Sequence, residues 1–287
     1  MKISTEIGSA SKRIGEERAV EYYGKAGFDA FDLSLFGTYS YDWKRGVYGD
    51  IGHPFTGHDY LAFARRLKQI GLAYGMVCNQ SHAPYPTCCP QIRSLFKRAI
   101  ECTAEAGGGI CIIHPDNNKG PQENAEMYFE LLPFAKEHGV KIAAENMWNW
   151  DSQKGCSSFA ACATSKSFLD HLHEVNDEYL VACLDIGHAE MAGSGEGAVK
   201  MIRALGPHLA ALHLHDNDRL HDSHQIPFSM QVDFKEVIGA LKAVDYRGAL
   251  TLEADNYLDA YADKDLFEGM KKLKESAERL RKMYEEA

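Results

Sequence analysis

The chain has 287 residues, 45% hydrophobic and 25% charged, the balance of an ordinary globular protein rather than a disordered or fibrous one. Its formal net charge of −10 argues against a broad phosphate-binding footprint, and so against a nucleic-acid partner. No stretch approaches the roughly 18 apolar residues of a membrane span, and the first residues lack the apolar core of a signal peptide. The eight cysteines form no Cys-x-x-Cys pair, so reduced thiols, no membrane contact and a cytoplasmic location are expected.

Taken in order, short apolar runs alternate with helix-like ones. Strands are expected at residues 2–7, 30–35, 72–79, 110–114, 140–145, 180–185, 209–215 and 249–253. The intervening helices are expected at about 15–26, 57–70, 89–106, 121–137, 165–175, 198–205, 234–244 and 263–285. Gly27, Gly71, the glycines at 107–109 and Gly139 follow helical runs and serve as stops. Eight strand–helix units predict an α/β fold, a single (β/α)8 TIM barrel over 1–287 with its active site at the C-terminal rim. The long strand-to-helix connections at 36–56, 147–164 and 216–233 are the expected walls of that site.

Four strands deliver a polar residue at their C-terminal ends: Glu145, Asp185, His215 and Glu253. Three carboxylates and an imidazole converging on one rim repel unless a cation lies between them, and oxygen ligands with one nitrogen suit Mn²⁺, Mg²⁺, Co²⁺ or Zn²⁺. One divalent metal ion is therefore the expected cofactor. In Leu209-Ala-Ala-Leu-His-Leu-His-Asp-Asn217, His213 and His215 share a face; His215 is nearer the rim, whereas His213 lies one layer deeper, as a core histidine or a substrate contact. The aromatic segments Phe36–Trp43 and Trp148-Asn-Trp150 suit the C–H faces of a sugar, and equally suit loop packing or a subunit contact.

Ala144-Glu-Asn146, Leu184-Asp-Ile-Gly-His188, Leu212-His-Leu-His-Asp-Asn-Asp218 and Leu252-Glu253, in this order and on these strands, resemble the xylose isomerase-like TIM-barrel superfamily. That group holds sugar phosphate isomerases and epimerases, among them ketose 3-epimerases, hydroxypyruvate isomerase and inosose dehydratase, with endonuclease IV as a more distant relative. The resemblance spans nearly the whole chain. It implies that Glu145, Asp185, His215 and Glu253 hold the metal, that Glu145 and Glu253 are also the catalytic base and acid, and that His188 contacts a substrate oxygen. His82, His114, Trp148 and Arg219 are the further substrate-binding candidates. Positions resembling His82, His114, Asp222 and His224 hold additional zinc ions in endonuclease IV, so Asp222, His224 and His213 are candidates for a further metal or substrate contact. The family's usual Pro-Gly-Glu-Gly is replaced by Pro227-Phe-Ser-Met230.

The expected activity is metal-dependent sugar isomerisation or epimerisation by proton abstraction beside a carbonyl, on a small sugar or polyol. The alternatives are an inosose dehydratase-type lyase, which begins with the same proton abstraction, and endonuclease IV-like hydrolysis of abasic DNA. A homo-oligomer is compatible with the sequence.

Overall fold

A computed structural model describes residues 1–287. Eight parallel strands form the barrel: β1 (Ile3–Glu6), β2 (Ala30–Ser34), β5 (Val77–His82), β6 (Ile110–Ile112), β7 (Lys141–Glu145), β10 (Leu180–Asp185), β11 (Leu209–His213) and β12 (Leu250–Leu252). The other four strands pair as antiparallel hairpins, β3 (Tyr39–Asp42) with β4 (Val47–Asp50), and β8 (Asn149–Asp151) with β9 (Cys156–Ser158). The parallel sheet runs β11-β10-β7-β6-β5-β2-β1-β12. Leu214 then closes the ring, donating to Thr251 at 2.9 Å while its carbonyl accepts from Glu253 at 3.0 Å.

The helices at Pro121–Glu137, Ser165–Val175 and Ala198–Leu205 have the predicted bounds. Several elements differ, among them the helix expected at 89–106, which is divided into Pro90–Arg93 and Phe96–Ala106. The predicted helix stop at Gly71 fails because the helix Tyr60–Ala73 runs through it. Gly71 is used for close packing instead: a Cβ there would lie 2.8 Å from the Met76 carbonyl oxygen and 3.1 Å from the Phe31 ring. The following strand therefore begins at Val77 rather than residue 72, and reaches His82. The helix expected at about 15–26 is Glu16–Ala26, and a further helix that was not expected, Gly8–Ile14, precedes it across Gly15 at φ +79°.

Strand side chains alternate between the helix layer and the barrel interior. The outward set joins the helices in a core of 68 buried residues. Inside, Ile112, Ala143, Val181, Cys183 and Ala211 form a small separate apolar cluster on one side. The opposite side of the interior is polar and buried: Ser4, Asp32, Gln80 and Thr251, each two residues before a residue at the rim. Stepping two residues along each strand leads to Glu6, Ser34, His82, His114, Glu145, Asp185, His213 and Glu253, which face the C-terminal mouth. The barrel thus carries its polar residues in two stacked layers.

Candidate functional site

Donor atoms of Glu145, Asp185, His213 and Glu253 all lie within 4.8 Å of one another, and all four residues are buried. His213 Nδ1 is 3.1 Å from Glu145 Oε1 and 3.3 Å from Glu253 Oε2. The structure reverses the order expected for the two histidines. His213 faces the three carboxylates, while His215 lies one step outward, with Nε2 at 3.1 Å from Asp185 Oδ1 and 3.5 Å from Asp222 Oδ1. Strand β11 ends at His213, and the chain past Leu214 belongs to the wall, which sets His215 outside the group of three carboxylates.

Two further donor groups flank this cup. His82 and His114 gather on Glu145, with His114 Nε2 at 3.0 Å from Oε2. His188, His215, Asp222 and His224 form the other group, in which the His215 and His224 rings stack at 3.9 Å and Asp222 reaches His188 at 3.2 Å and His224 at 3.1 Å. His82, His188 and His224 each set Nδ1 against a backbone carbonyl, those of Ala83, Asn146 and Glu253, at 2.8–3.0 Å. A ring that donates from Nδ1 leaves Nε2 free for other work: that of His82 turns toward Glu145 and Glu253, and those of His188 and His224 turn to Asp222.

The donor set fits a divalent cation. Ligands of one ion at about 2.1 Å lie no more than roughly 4.2 Å apart, close to the observed spread. Three carboxylates with oxygens within 4.8 Å of one another, all ionised, would repel by at least about 3 kcal/mol per pair at an effective dielectric of 20 without a cation between them. Asp185 Oδ2 is buried and has no hydrogen-bond partner within the protein, which fits an oxygen placed to ligate a cation.

The protein's own field sets the two glutamates apart. Burial pushes Glu145 up, but the His213 and His114 imidazoles outweigh it and hold the carboxyl well below its ordinary range. Burial also pushes Glu253 up, and with the Glu145 and Asp255 charges it outweighs His213, so this carboxyl sits well above its ordinary range. At His188, burial favours the neutral ring, yet Asp185 and then Asp222 overcome it and raise the group to about 10. Burial and the neighbouring His114 lower His82 to about 3, leaving it a neutral donor.

The cup opens into a cavity of about 510 Å³. Phe36, Trp43 and Tyr85 line one wall and Trp148 and Trp150 another, with Trp148 Nε1 donating to Asp222 at 3.2 Å. No lysine or arginine lines it. Arg219, a predicted substrate contact, is absent from this lining: its backbone is held at φ +63° and its guanidinium is 3.5 Å from Glu190. Two carboxyls in the lining, Glu6 and Asp255, were not singled out from the sequence. Glu6 ends the run Ile3-Ser-Thr-Glu6, and the strand-end rule that found Glu145 also finds it.

Fold and site together define a (β/α)8 barrel with a carboxylate–imidazole cup under an aromatic-walled cavity. Residues 20–283 match the family described as xylose isomerase-like TIM barrel, and the chain belongs to that family. An uncharacterized protein of Methanocaldococcus jannaschii is 27% identical over 203 residues, 64% of this chain and 67% of that protein. An uncharacterized protein of Sinorhizobium fredii is 25% identical over 177 residues, 57% of this chain and 53% of its own length. Among solved structures, a D-tagatose 3-epimerase-like protein superposes with a TM-score of 0.71 at 20% identity, covering 98% of this chain and 99% of that one. The D-allulose 3-epimerase of Methylomonas sp. gives 0.68 at 16% identity, covering 98% and 96%. The 3-keto-D-glucoside 4-epimerase of E. coli gives 0.68 at 14%, covering 96% and 99%.

Proposed function

We propose that the protein is a divalent-metal-dependent sugar isomerase or epimerase acting on an uncharged sugar or polyol. The observation that carries this reading is the pair Glu145 and Glu253, in one cup with their proton affinities set apart. Such a split marks a base and an acid. Glu145, Asp185, His213 and Glu253 are the residues that would hold the cation. A divalent ion there supplies Lewis acidity that eases removal of a proton beside a carbonyl and offsets the negative charge that develops. Glu145 takes the proton from carbon, and Glu253, on the other side, delivers one to the opposite face of the same carbon in an epimerisation or to the neighbouring carbon in an isomerisation. His188, anchored through Nδ1 on Asn146, donates from Nε2 toward a substrate oxygen. The aromatic walls cover the sugar's C–H faces and exclude water. A lining without lysine or arginine offers a phosphate no counter-charge of its own, which favours an unphosphorylated substrate. The ketose epimerases among the structural neighbours support the same class.

Elemental analysis of the purified protein, with deuterium exchange from solvent into a panel of ketoses and inososes, tests the proposal. One bound metal per chain with exchange is the expected result. Glu145→Gln and Glu253→Gln are expected to abolish exchange, and retained exchange in either variant refutes its assigned role. A dehydratase would show the same exchange followed by loss of water.

The two donor groups beside the cup favour one second reading, a multi-metal phosphodiesterase resembling endonuclease IV. His82 and His114 on Glu145, and His188, Asp222 and His224 with His215, offer ligands for further ions. Two or three zinc ions per chain, cleavage of abasic DNA and no exchange into sugars would establish it.

A further inference from the structure

Every imidazole at the cup has two nitrogens, and where the second one goes separates His213 from the rest. His82, His188 and His224 rest Nδ1 on backbone carbonyls, which carry no formal charge. The far nitrogens of His114 and His215 have no partner. His213 alone sets a ring nitrogen, Nε2, against a carboxylate that belongs neither to the cup nor to the cavity lining: Asp32 Oδ2, at 3.2 Å, whereas the Nε2 atoms of His188 and His224 reach Asp222 in the lining. Asp32 lies on β2 and is fully buried. It does not line the cavity, so it cannot touch a substrate there.

Asp32 is itself held in place. Gln80 Nε2 donates to the same Oδ2 at 2.8 Å, and Asn79 Nδ2 donates to Gln80 Oε1 at 3.0 Å. Asn79 also bonds Thr251 at 3.2 Å and accepts from Ser4 at 2.6 Å. This network occupies the polar layer beneath the cup, where a barrel interior is ordinarily filled by branched apolar side chains. A buried carboxylate in such a place costs free energy unless it is used. Its other oxygen, Oδ1, is buried without a hydrogen-bond partner.

We propose that Asp32 is the positioning residue of the centre: by accepting from Nε2–H of His213 it fixes the tautomer and ring plane that turn Nδ1 toward the cation shared with Glu145, Asp185 and Glu253. Gln80, Asn79, Thr251 and Ser4 hold Asp32 at the required angle. A carboxylate behind a ligating imidazole both orients the ring and strengthens it as a donor. The inference rests on the metal site of the proposed function, but not on its substrate.

The test is a titration of the chelator-stripped full chain with Co²⁺ alone, followed by calorimetry and by the visible spectrum of the bound ion. Asp32→Asn keeps the shape of the side chain and is expected to weaken Co²⁺ about 10–100-fold and to alter the spectrum. The metal-free unfolding midpoint should stay within about 3 °C of wild type, less than roughly 1 kcal/mol for a chain of this size. Unchanged Co²⁺ affinity, or a loss matched by a comparable fall in metal-free stability, overturns the proposal. A measurement on the unsubstituted protein stands beside it in case Asp32→Asn does not fold. The Zn²⁺-loaded chain labelled with ¹⁵N-histidine should show a strongly downfield Nε2–H proton, assigned by its loss in His213→Gln; a zinc-bound Nε2 at His213 overturns the assignment. Wild type that binds Co²⁺ but exchanges no sugar proton refutes the sugar reading and leaves Asp32 in its role. Sugar exchange with Co²⁺ affinity indifferent to Asp32→Asn does the reverse. A wild type that binds no Co²⁺ refutes both.

Discussion

Gly187 gives a sharp test of how the two histidines of β11 divide their work. It lies in the short helix Ile186–Glu190 directly after Asp185. A Cβ at this position would stand 2.0 Å from Cε1, 2.4 Å from Nε2 and 2.6 Å from Nδ1 of His215, where ordinary contact begins at 3.4 Å. In Gly187→Ala the ring must therefore withdraw by roughly 1.4 Å in a close-packed interior. It has little room to do so, being fully buried, stacked on His224 and in contact with Asp185. Overpacking of this kind costs about 1–3 kcal/mol. Alanine's better helix propensity returns at most about 1 kcal/mol. A net loss of about 1–2 kcal/mol corresponds to a fall in Tm of roughly 2–8 °C. The assay is thermal unfolding of the metal-free chain, paired with a Co²⁺ titration. Because His213 rather than His215 faces the carboxylates, affinity at the cup should change far less than the 10–100-fold that loss of a ligand's support costs. Wild-type Tm would refute the packing argument. A loss of Co²⁺ affinity of tenfold or more would place His215 among the ligands of the cup.

Two further outcomes follow from the electrostatics and the walls. His188 is raised to about 10 from an ordinary 6.5, so the folded metal-free chain holds a proton that the unfolded chain has lost. That stabilisation is fully present below about pH 6.5 and disappears as pH rises toward about 10. Urea unfolding of chelator-treated protein should show this decline, and saturating metal should reduce it by offsetting the Asp185 charge that raises His188; a flat profile for the metal-free chain refutes the ion-pair account. Trp43 is 61% exposed at the cavity mouth, so Trp43→Ala should leave Tm unchanged while weakening sugar binding about 3–10-fold, the worth of one aromatic contact. Unaltered binding by calorimetry removes this wall from the site.

The sequence by itself determined the barrel. Its eight strands, the bounds of three helices and the rim positions of Glu145, Asp185 and Glu253 follow from apolar runs that turn polar at their ends, a local pattern fixed by strand alternation. Parity along β11 likewise put His213 and His215 on one face. Which of them meets the carboxylates depends on where the strand stops and the wall begins, and the closure between Leu214 and Leu252 decides that. Gly71 shows the same limit: glycine ends a helix in isolation, yet here the approach of Met76 and Phe31 uses it within one. Two hairpins in the long loops were not legible either, because two strands this short are not stable alone and need tertiary packing, as where Tyr39 joins the main core. Asp32 stands out least of all in sequence, a single acid inside Ala30-Phe-Asp-Leu-Ser34. Only the tertiary structure brings it against His213, 181 residues away, where burial and a shared hydrogen bond give it a task.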